Sequence, residues 1–256
     1  MSIPLRKGIR GGGWQNTLVR LPPGEVHVYT IPLRPVPDDL EPFLRVLDQE
    51  ERRRAGRFLF DKDRHQLILS HHALRTILAC YVGRLPEELQ FDRAEHGKPS
   101  LRQDSGLRHN LSHSHRLAVL GICREAELGV DVEHVERPVE HLQLARRFFA
   151  SAEAEGLGKV APERRNEVFF TIWTRKEAYI KAIGEGLTHP LDRFCVWRPQ
   201  GPEPRLTSPD GRAQGYTLVD LEVPEGYRAS LAVEGKGWSI RQYGFTAKDF
   251  LPGGRT

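Results

Sequence analysis

The chain has 256 residues, 39% hydrophobic and 28% charged, a composition that suits one large or two small globular domains and excludes disordered and collagen-like chains. Its net charge of +4 and isoelectric point near 9.0 are mildly basic. That balance suits an anionic ligand or an acidic protein partner and is too weak by itself to argue nucleic acid.

Met1 to Trp14 carries three basic residues and the Gly11-Gly12-Gly13 run but no apolar core of a signal peptide. No later stretch reaches the length of a membrane span. Cys80, Cys123 and Cys195 are widely separated, with no Cys-x-x-Cys, so buried thiols in a reducing compartment are expected. Together these features predict a cytoplasmic protein with a flexible extension over 1–24.

From Glu25 to Leu33 the β-formers Val26, Val28, Tyr29 and Ile31 predict a first strand, and Pro35, Pro37 and Pro42 then punctuate a loop. Asp48 with Glu51 three residues on is a capping-box pattern opening a helix that carries Arg52, Arg53, Arg54 and Arg57 into Phe58. Such a run is ordinarily a solvated face, and becomes an anion site only beside a phosphate. His65 to Tyr81 has the apolar spacing of a packed helix ending before Gly83. His65, His71 and His72 on it lack metal-ligand geometry and read as surface or packed residues. Phe91 to Leu101 is loop or short strand. Asn110 to His115 leads into two apolar runs, Leu117–Cys123 and Leu128–Val132, which read as strands joined by a short turn.

In Gly129-Val130-Asp131-Val132-Glu133, strand alternation sends the valines to the core and projects Asp131 and Glu133 together on the other face. Side-by-side carboxylates repel unless a cation lies between them; a solvated strand end is the plain alternative. Farther on, Trp173, Glu177, Lys181 and Gly184 recur at helical spacing within a predicted helix from Trp173 that Gly184 would cap. Alone, Glu177 and Lys181 are an ordinary surface pair worth about 0.2–0.5 kcal/mol. If Glu177 meets Asp131 and Glu133, three oxygen ligands converge in the manner of a Mg²⁺ site, with Lys181 one turn away over a phosphate. Trp173 itself reads as core. Beyond it, Phe194–Trp197, Tyr216–Val223, Tyr227–Val233 and Trp238–Tyr243 are β-like. An echo of Arg57-Phe58, helix and glycine in Arg147-Phe148, helix and Gly184 suggests two similar halves, placed at 25–126 and 127–246 with a tail over 247–256.

Taken in order, Gly97-Lys98-Pro99, Asn110-Leu111-Ser112-His113-Ser114, Gly129-Val130-Asp131-Val132-Glu133 and Trp173 through Lys181 to Gly184-Glu185-Gly186-Leu187 resemble the 4′-phosphopantetheinyl transferases. The likeness is to the larger single-chain type and runs from about Leu47 to Leu187, with Arg146-Arg147-Phe148-Phe149 adding to it. Each motif is modest alone; four in order are specific. The resemblance implies an α+β fold of two halves related by a pseudo-twofold, with the active site at their interface. It implies Mg²⁺ on Asp131, Glu133 and Glu177. It also implies coenzyme A held by Arg54, Lys98, Ser112 and His113, with Lys181 on the diphosphate. Glu177 and Lys181 would be the catalytic pair, Glu177 being the candidate to take the acceptor proton. The implied activity is transfer of 4′-phosphopantetheine from coenzyme A to a serine of an acyl or peptidyl carrier protein, releasing adenosine 3′,5′-bisphosphate, by a monomer that binds neither nucleic acid nor membrane. Two positions depart from the pattern: Glu51 stands where some members have a basic residue, a charge that Arg53 or Arg57 could supply, and His115 stands where members often have glycine. A non-catalytic module binding coenzyme A or a carrier, and a Mg²⁺-dependent nucleotide diphosphate hydrolase, are the competing readings.

Overall fold

The structure, a computed structural model, describes residues 6–7, 18–93, 97–104, 106–136, 139–186, 189–199, 201 and 203–245. Most of the expected amino-terminal extension, Leu187 and the 247–256 tail lie outside the described residues.

The architecture is α+β in four stacked layers, helix, sheet, sheet, helix. The first sheet has the order β1 (Arg6–Lys7), β10 (Ser239–Gly244), β2 (Glu25–Pro32), β6 (Leu117–Arg124), β5 (Leu107–Ser114). The second is antiparallel, with β9 (Tyr227–Glu234) between β7 (Leu128–His134) and β8 (Tyr216–Asp220). A small hairpin pairs β3 (Phe91–Arg93) with β4 (Pro99–Leu101).

Alternation along β2 explains the layering. Tyr29 and Ile31 pack with Leu120 and Ile122 against Leu74, Ile77 and Leu78 of α3 (Asp61–Val82). Val26 and Val28 face the other way, onto Val130, Val132 and Leu231 of the second sheet. Both faces are therefore covered, which is why burial runs almost unbroken along β2 and β6 instead of alternating. The second sheet's outer face takes α6 (Pro162–Ile183), whose Ala178, Ile180 and Phe169 join Ala232, Phe149, Leu157 and Phe194 in a separate cluster. The helices α3 and α6 each span 22 residues and end on a left-handed glycine, Gly83 and Gly184. The shorter α1 (Glu41–Val46) and α2 (Gln49–Gly56) flank α3, and α4 (His141–Phe148) and α5 (Ser151–Gly158) flank α6. Asp48 and Glu51 form the expected capping box at the start of α2.

Several expectations are corrected. Asn110–Ser114 lies inside strand β5 rather than in a turn. The two strands joined by a short turn, β6 and β7, are present as expected, and β7 leaves for the other sheet, since β6 already has β2 and β5 on its two edges. Phe194–Trp197 makes only an isolated bridge, Cys195 to Thr207, after a turn of 3₁₀ helix, and its apolar side chains serve the α6 cluster. The α6 helix begins eleven residues before Trp173, at Pro162. Cys80 and Cys123 are buried as expected, but Cys195 is only partly so.

Candidate active site

The exposed edge of the first sheet, β5, abuts the edge of the second, β7, and side chains sew the seam. Asn110 accepts from the Val130 N–H at 2.9 Å, Ser112 donates to Asp131 Oδ1 at 3.0 Å, and Ser114 donates to Glu133 Oε2 at 2.9 Å. Residues 110, 112 and 114 alternate, so one face of β5 meets β7 while His113 points to the opposite side.

Helix α6 closes the seam from above, and Gly129 is what lets it come down. A Cβ at Gly129 would lie 2.7 Å from Lys181 Cβ and still closer to the Ala178 carbonyl and the Ala182 nitrogen. The approach delivers Lys181, whose ammonium donates to Asp131 Oδ1 at 2.6 Å and Ser112 Oγ at 3.0 Å. Glu177, one turn earlier, is 9% exposed. Burial first, then the charge of Asp131, pushes its carboxyl up to about 7, with Lys181 opposing and Glu133 adding to the rise. The helix is held in place from behind by two fully buried cations. Arg175 donates to Asp220 at 2.8 and 2.5 Å, and Lys176 donates to the Leu191 and Phe194 carbonyls and pairs with Glu153 at 2.7 Å.

Two carboxylate oxygens in this cluster, Asp131 Oδ2 and Glu177 Oε1, are buried without a hydrogen-bond partner. An unpaired anionic oxygen out of water is costly, and two of them within each other's field are the donor set a hard divalent cation compensates. The residues therefore fit Mg²⁺. As the side chains stand, no three of His, Cys, Asp and Glu among the described residues are grouped to hold a metal, and Glu133 is engaged with Ser114.

The other expected coenzyme residues lie around this core. His113 is exposed on β5, yet the walls around it strip enough water to lower its imidazole pKa, with His71, Lys181 and Arg54 adding to the shift. Arg54 sits half-buried in the last turn of α2. Lys98 is farther along the seam, its ammonium donating to Glu127 at 2.6 Å and to the Leu128 and Ala182 carbonyls at 3.0 and 3.3 Å. A cavity of about 360 Å³ opens there, lined by Lys98, Arg108, His109, Glu127 and Gly184. A larger cleft of about 830 Å³ runs along the amino-terminal half of α6, past Arg164, Glu167 and Arg198, and contains none of these residues.

Glu51 is turned inward, accepting from His71 Nδ1 at 2.8 Å and Arg75 Nε at 2.7 Å, so it cannot serve an anion. Of the two cations expected to replace it, Arg53 pairs with Glu50 at 2.5 Å and Arg57 is exposed just past α2. His115 occupies a left-handed turn, φ 54°, its ring tilted against His134 with centroids 4.5 Å apart; the backbone there is one that glycine adopts freely. Asn110 and Ser114, quoted only as part of a motif, and Glu127, not singled out from sequence, bind the seam together. The alternation of Asn110, Ser112 and Ser114 was the available signal, once that stretch is read as a strand.

Comparison with known proteins gives the family. Residues 127–232 match the 4′-phosphopantetheinyl transferase superfamily, and residues 33–124 match the amino-terminal region of a 4′-phosphopantetheinyl transferase. The chain is 35% identical over 234 residues to the 4′-phosphopantetheinyl transferase HetI of a Nostoc strain, covering 88% of this chain and 96% of that one. It is 27% identical to the Bacillus subtilis 4′-phosphopantetheinyl transferase Sfp, covering 76% and 85%. Among solved structures it is similar to the holo-[acyl-carrier-protein] synthase of Thermotoga maritima, with a TM-score of 0.35 and 23% identity over 43% of this chain and 63% of that one.

Proposed function

The chain belongs to the 4′-phosphopantetheinyl transferases, and on that premise we propose that it moves 4′-phosphopantetheine from coenzyme A to a serine of a carrier protein in a Mg²⁺-dependent reaction. The serine Oγ attacks the phosphorus bearing pantetheine, the bond from that phosphorus to the bridging oxygen breaks, and adenosine 3′,5′-bisphosphate leaves with the bridging oxygen. The observation that carries the reading is the compact group of Ser112, Asp131, Glu177 and Lys181, with two buried carboxylate oxygens left unpaired.

Each residue has a physical task. Asp131 and Glu177, joined by Glu133 once it turns from Ser114, would hold Mg²⁺. Bound there, the ion would supply positive charge against the diphosphate and its leaving oxygen. Lys181 and Ser112 present donors from the same point, and positioned donors in a water-poor site contribute more than they would in bulk solvent. His113 and Arg54 flank the β5 face toward α2 and α3, where the nucleotide phosphates would lie, and the cavity beside Lys98 lies at the other end of the seam. Glu177, the buried carboxylate that α6 brings to this point, is the candidate to take the serine proton.

Incubation with coenzyme A, Mg²⁺ and an apo carrier domain tests the proposal by mass spectrometry. The carrier should gain one phosphopantetheinyl group, and Asp131→Asn and Glu177→Gln should each remove that gain. An active Asp131→Asn enzyme would break the metal assignment. Consumption of coenzyme A without any carrier would instead indicate hydrolysis.

A further inference from the structure

Glu51 stands where some members of the family carry a basic residue, so the nucleotide end of the site is one positive charge short of theirs. The structure puts another group able to carry that charge beside it. Glu51 and Arg54 are three residues apart and share one face of α2. From that face Glu51 accepts from His71 Nδ1 at 2.8 Å and from Arg75 Nε at 2.7 Å. The Arg75 guanidinium also donates to Asp48 at 2.6 Å and to the Pro86 and Leu89 carbonyls. Two carboxylates thus share one buried arginine, and the other partner of Glu51 able to become positive is His71.

His71 lies between this network and the candidate site. Leu67 and Leu74, a turn to either side of it, are buried in the first core, so His71 is on the sheet-facing stripe of α3. On β5, Leu111 packs against the same core, and His113 two residues on shares its face. Gln66 of α3 donates to the His115 carbonyl and fastens the helix to the end of that strand. His71, Lys181 and Arg54 all act electrostatically on His113, with Asp63 opposing them. The His71 side chain is 17% exposed, and its Nε2 makes no hydrogen bond among the described residues. We propose that His71, oriented by Glu51, is a ligand of the coenzyme, donating through Nε2 to the 3′-phosphate of its ribose beside His113 and Arg54. A ring that donates to Glu51 through Nδ1 and to a phosphate through Nε2 holds a proton on both nitrogens and a full positive charge. Such a charge-assisted bond is shorter and stronger than a neutral one. The 3′-phosphate is the partner because Lys181 and Ser112, on the other face of β5, serve the diphosphate. Glu51 thereby supplies through a neighbour the charge its own position lacks. The inference rests on the coenzyme A reading, and it adds a residue that selects for the 3′-phosphate.

Calorimetric titration of the full chain with coenzyme A and with 3′-dephospho-coenzyme A, in Mg²⁺ and without carrier, isolates that phosphate. The parent should bind coenzyme A about tenfold or more tighter than the dephospho form. His71→Gln can still donate to Glu51 but carries no charge. It should weaken coenzyme A binding by about tenfold and leave the dephospho form within about twofold of the parent. Glu51→Gln should weaken coenzyme A alone by about threefold or more, and His71→Arg, which restores a charge, should bind it more tightly than His71→Gln does. Circular dichroism and melting temperature establish that each variant is folded, and either His71→Gln or Glu51→Gln suffices for the comparison. Equal losses for the two ligands would mean that His71 acts only through the fold. An unchanged preference for coenzyme A in both folded variants, or a parent with no preference, would remove His71 from the phosphate site. Each of these results overturns the inference and leaves transfer intact. A parent that binds neither ligand would bring down the coenzyme A reading itself, and this inference with it.

Discussion

Lys181 is the charge on which the site balances. Its ammonium offsets Asp131 directly and opposes the rise of Glu177, so Lys181→Ala should leave two buried carboxylates repelling each other with less compensation. Transfer should fall by about a hundredfold or more in kcat/KM for coenzyme A, with Lys181→Arg recovering part of it; a loss confined to the carrier KM would contradict the assignment. His109 offers a test of the neighbouring core. It is 2% exposed, neither ring nitrogen has a partner, and burial first, then Lys98, brings its imidazole down to about 4. A histidine whose folded pKa is depressed contributes its full stability above the unfolded value near 6.5 and loses it as pH falls toward 4. From pH 7 to pH 5 the parent should therefore lose about 2 kcal/mol more than His109→Phe, read from urea midpoints at the two pH values. At this scale the sequence was informative about types and blind to partners. Asp131 and Glu133 were legible as neighbours on one strand face. That Ser114 would occupy Glu133 and Glu127 would hold Lys98 depends on contacts across 19 and 29 residues, which no local pattern carries.

Among the elements, the close approach of α6 to β7 decides whether the seam is a site at all. It depends on the missing side chain of Gly129, since any Cβ there meets the backbone of Ala178 and Ala182, and backbone cannot swing aside as a flexible side chain can. Gly129→Ala should push the helix outward and draw Lys181 and Glu177 away from Asp131. A displacement on the order of 1 Å at a positioned charge is enough to cost about a hundredfold. The expected result is a folded protein, by far-UV circular dichroism, with transfer reduced at least to that extent; unimpaired transfer would show that the helix does not need to sit so low. Element boundaries were readable where a cap or a breaker announces them, as at Asp48 with Glu51 and at Gly83 and Gly184. They were misread where burial overrode local preference. Asn110, Ser112 and His113 are polar and turn-like, yet the register against β6, Asn110 opposite Gly121 and Ser112 opposite Val119, places them in a strand whose polar face is needed at the seam. Phe194 and Val196 have strand character, but their partners are the aromatic side chains and helices around α6.

At the scale of the molecule the two sheets are not separable bodies. The final described strand, β10, returns to the first sheet and runs parallel to β2 from Ser239 opposite Glu25 to Gly244 opposite Thr30, and Phe245 donates its N–H to the Thr30 carbonyl at 2.9 Å. Between the sheets one cluster is built from both, with Val26, Val28 and Val119 against Val130, Val132 and Leu231. Parting the sheets would expose that whole apolar layer at about 25 cal/mol per Å², so they should unfold together. In urea, fluorescence excited at the four tryptophans includes Trp173 and Trp197 of the α6 cluster and Trp238 against the cluster between the sheets, whereas far-UV circular dichroism averages over the four layers; the two transitions should coincide, and separated midpoints would show that the layers part independently. A chain ended at Gly237 carries the same argument further. It loses β10, the stacking of Tyr243 on Tyr29 at 5.2 Å and the cover over Phe245's place in the first core, and it bares the β2 edge along six paired residues. An uncovered, apolar strand edge recruits other chains. The truncated protein should therefore aggregate or melt without a cooperative transition, even though every residue assigned to the site is still present. Full solubility and an unchanged melting temperature in that chain would mean that the second sheet and α6 hold the seam without help from the strand that closes the first.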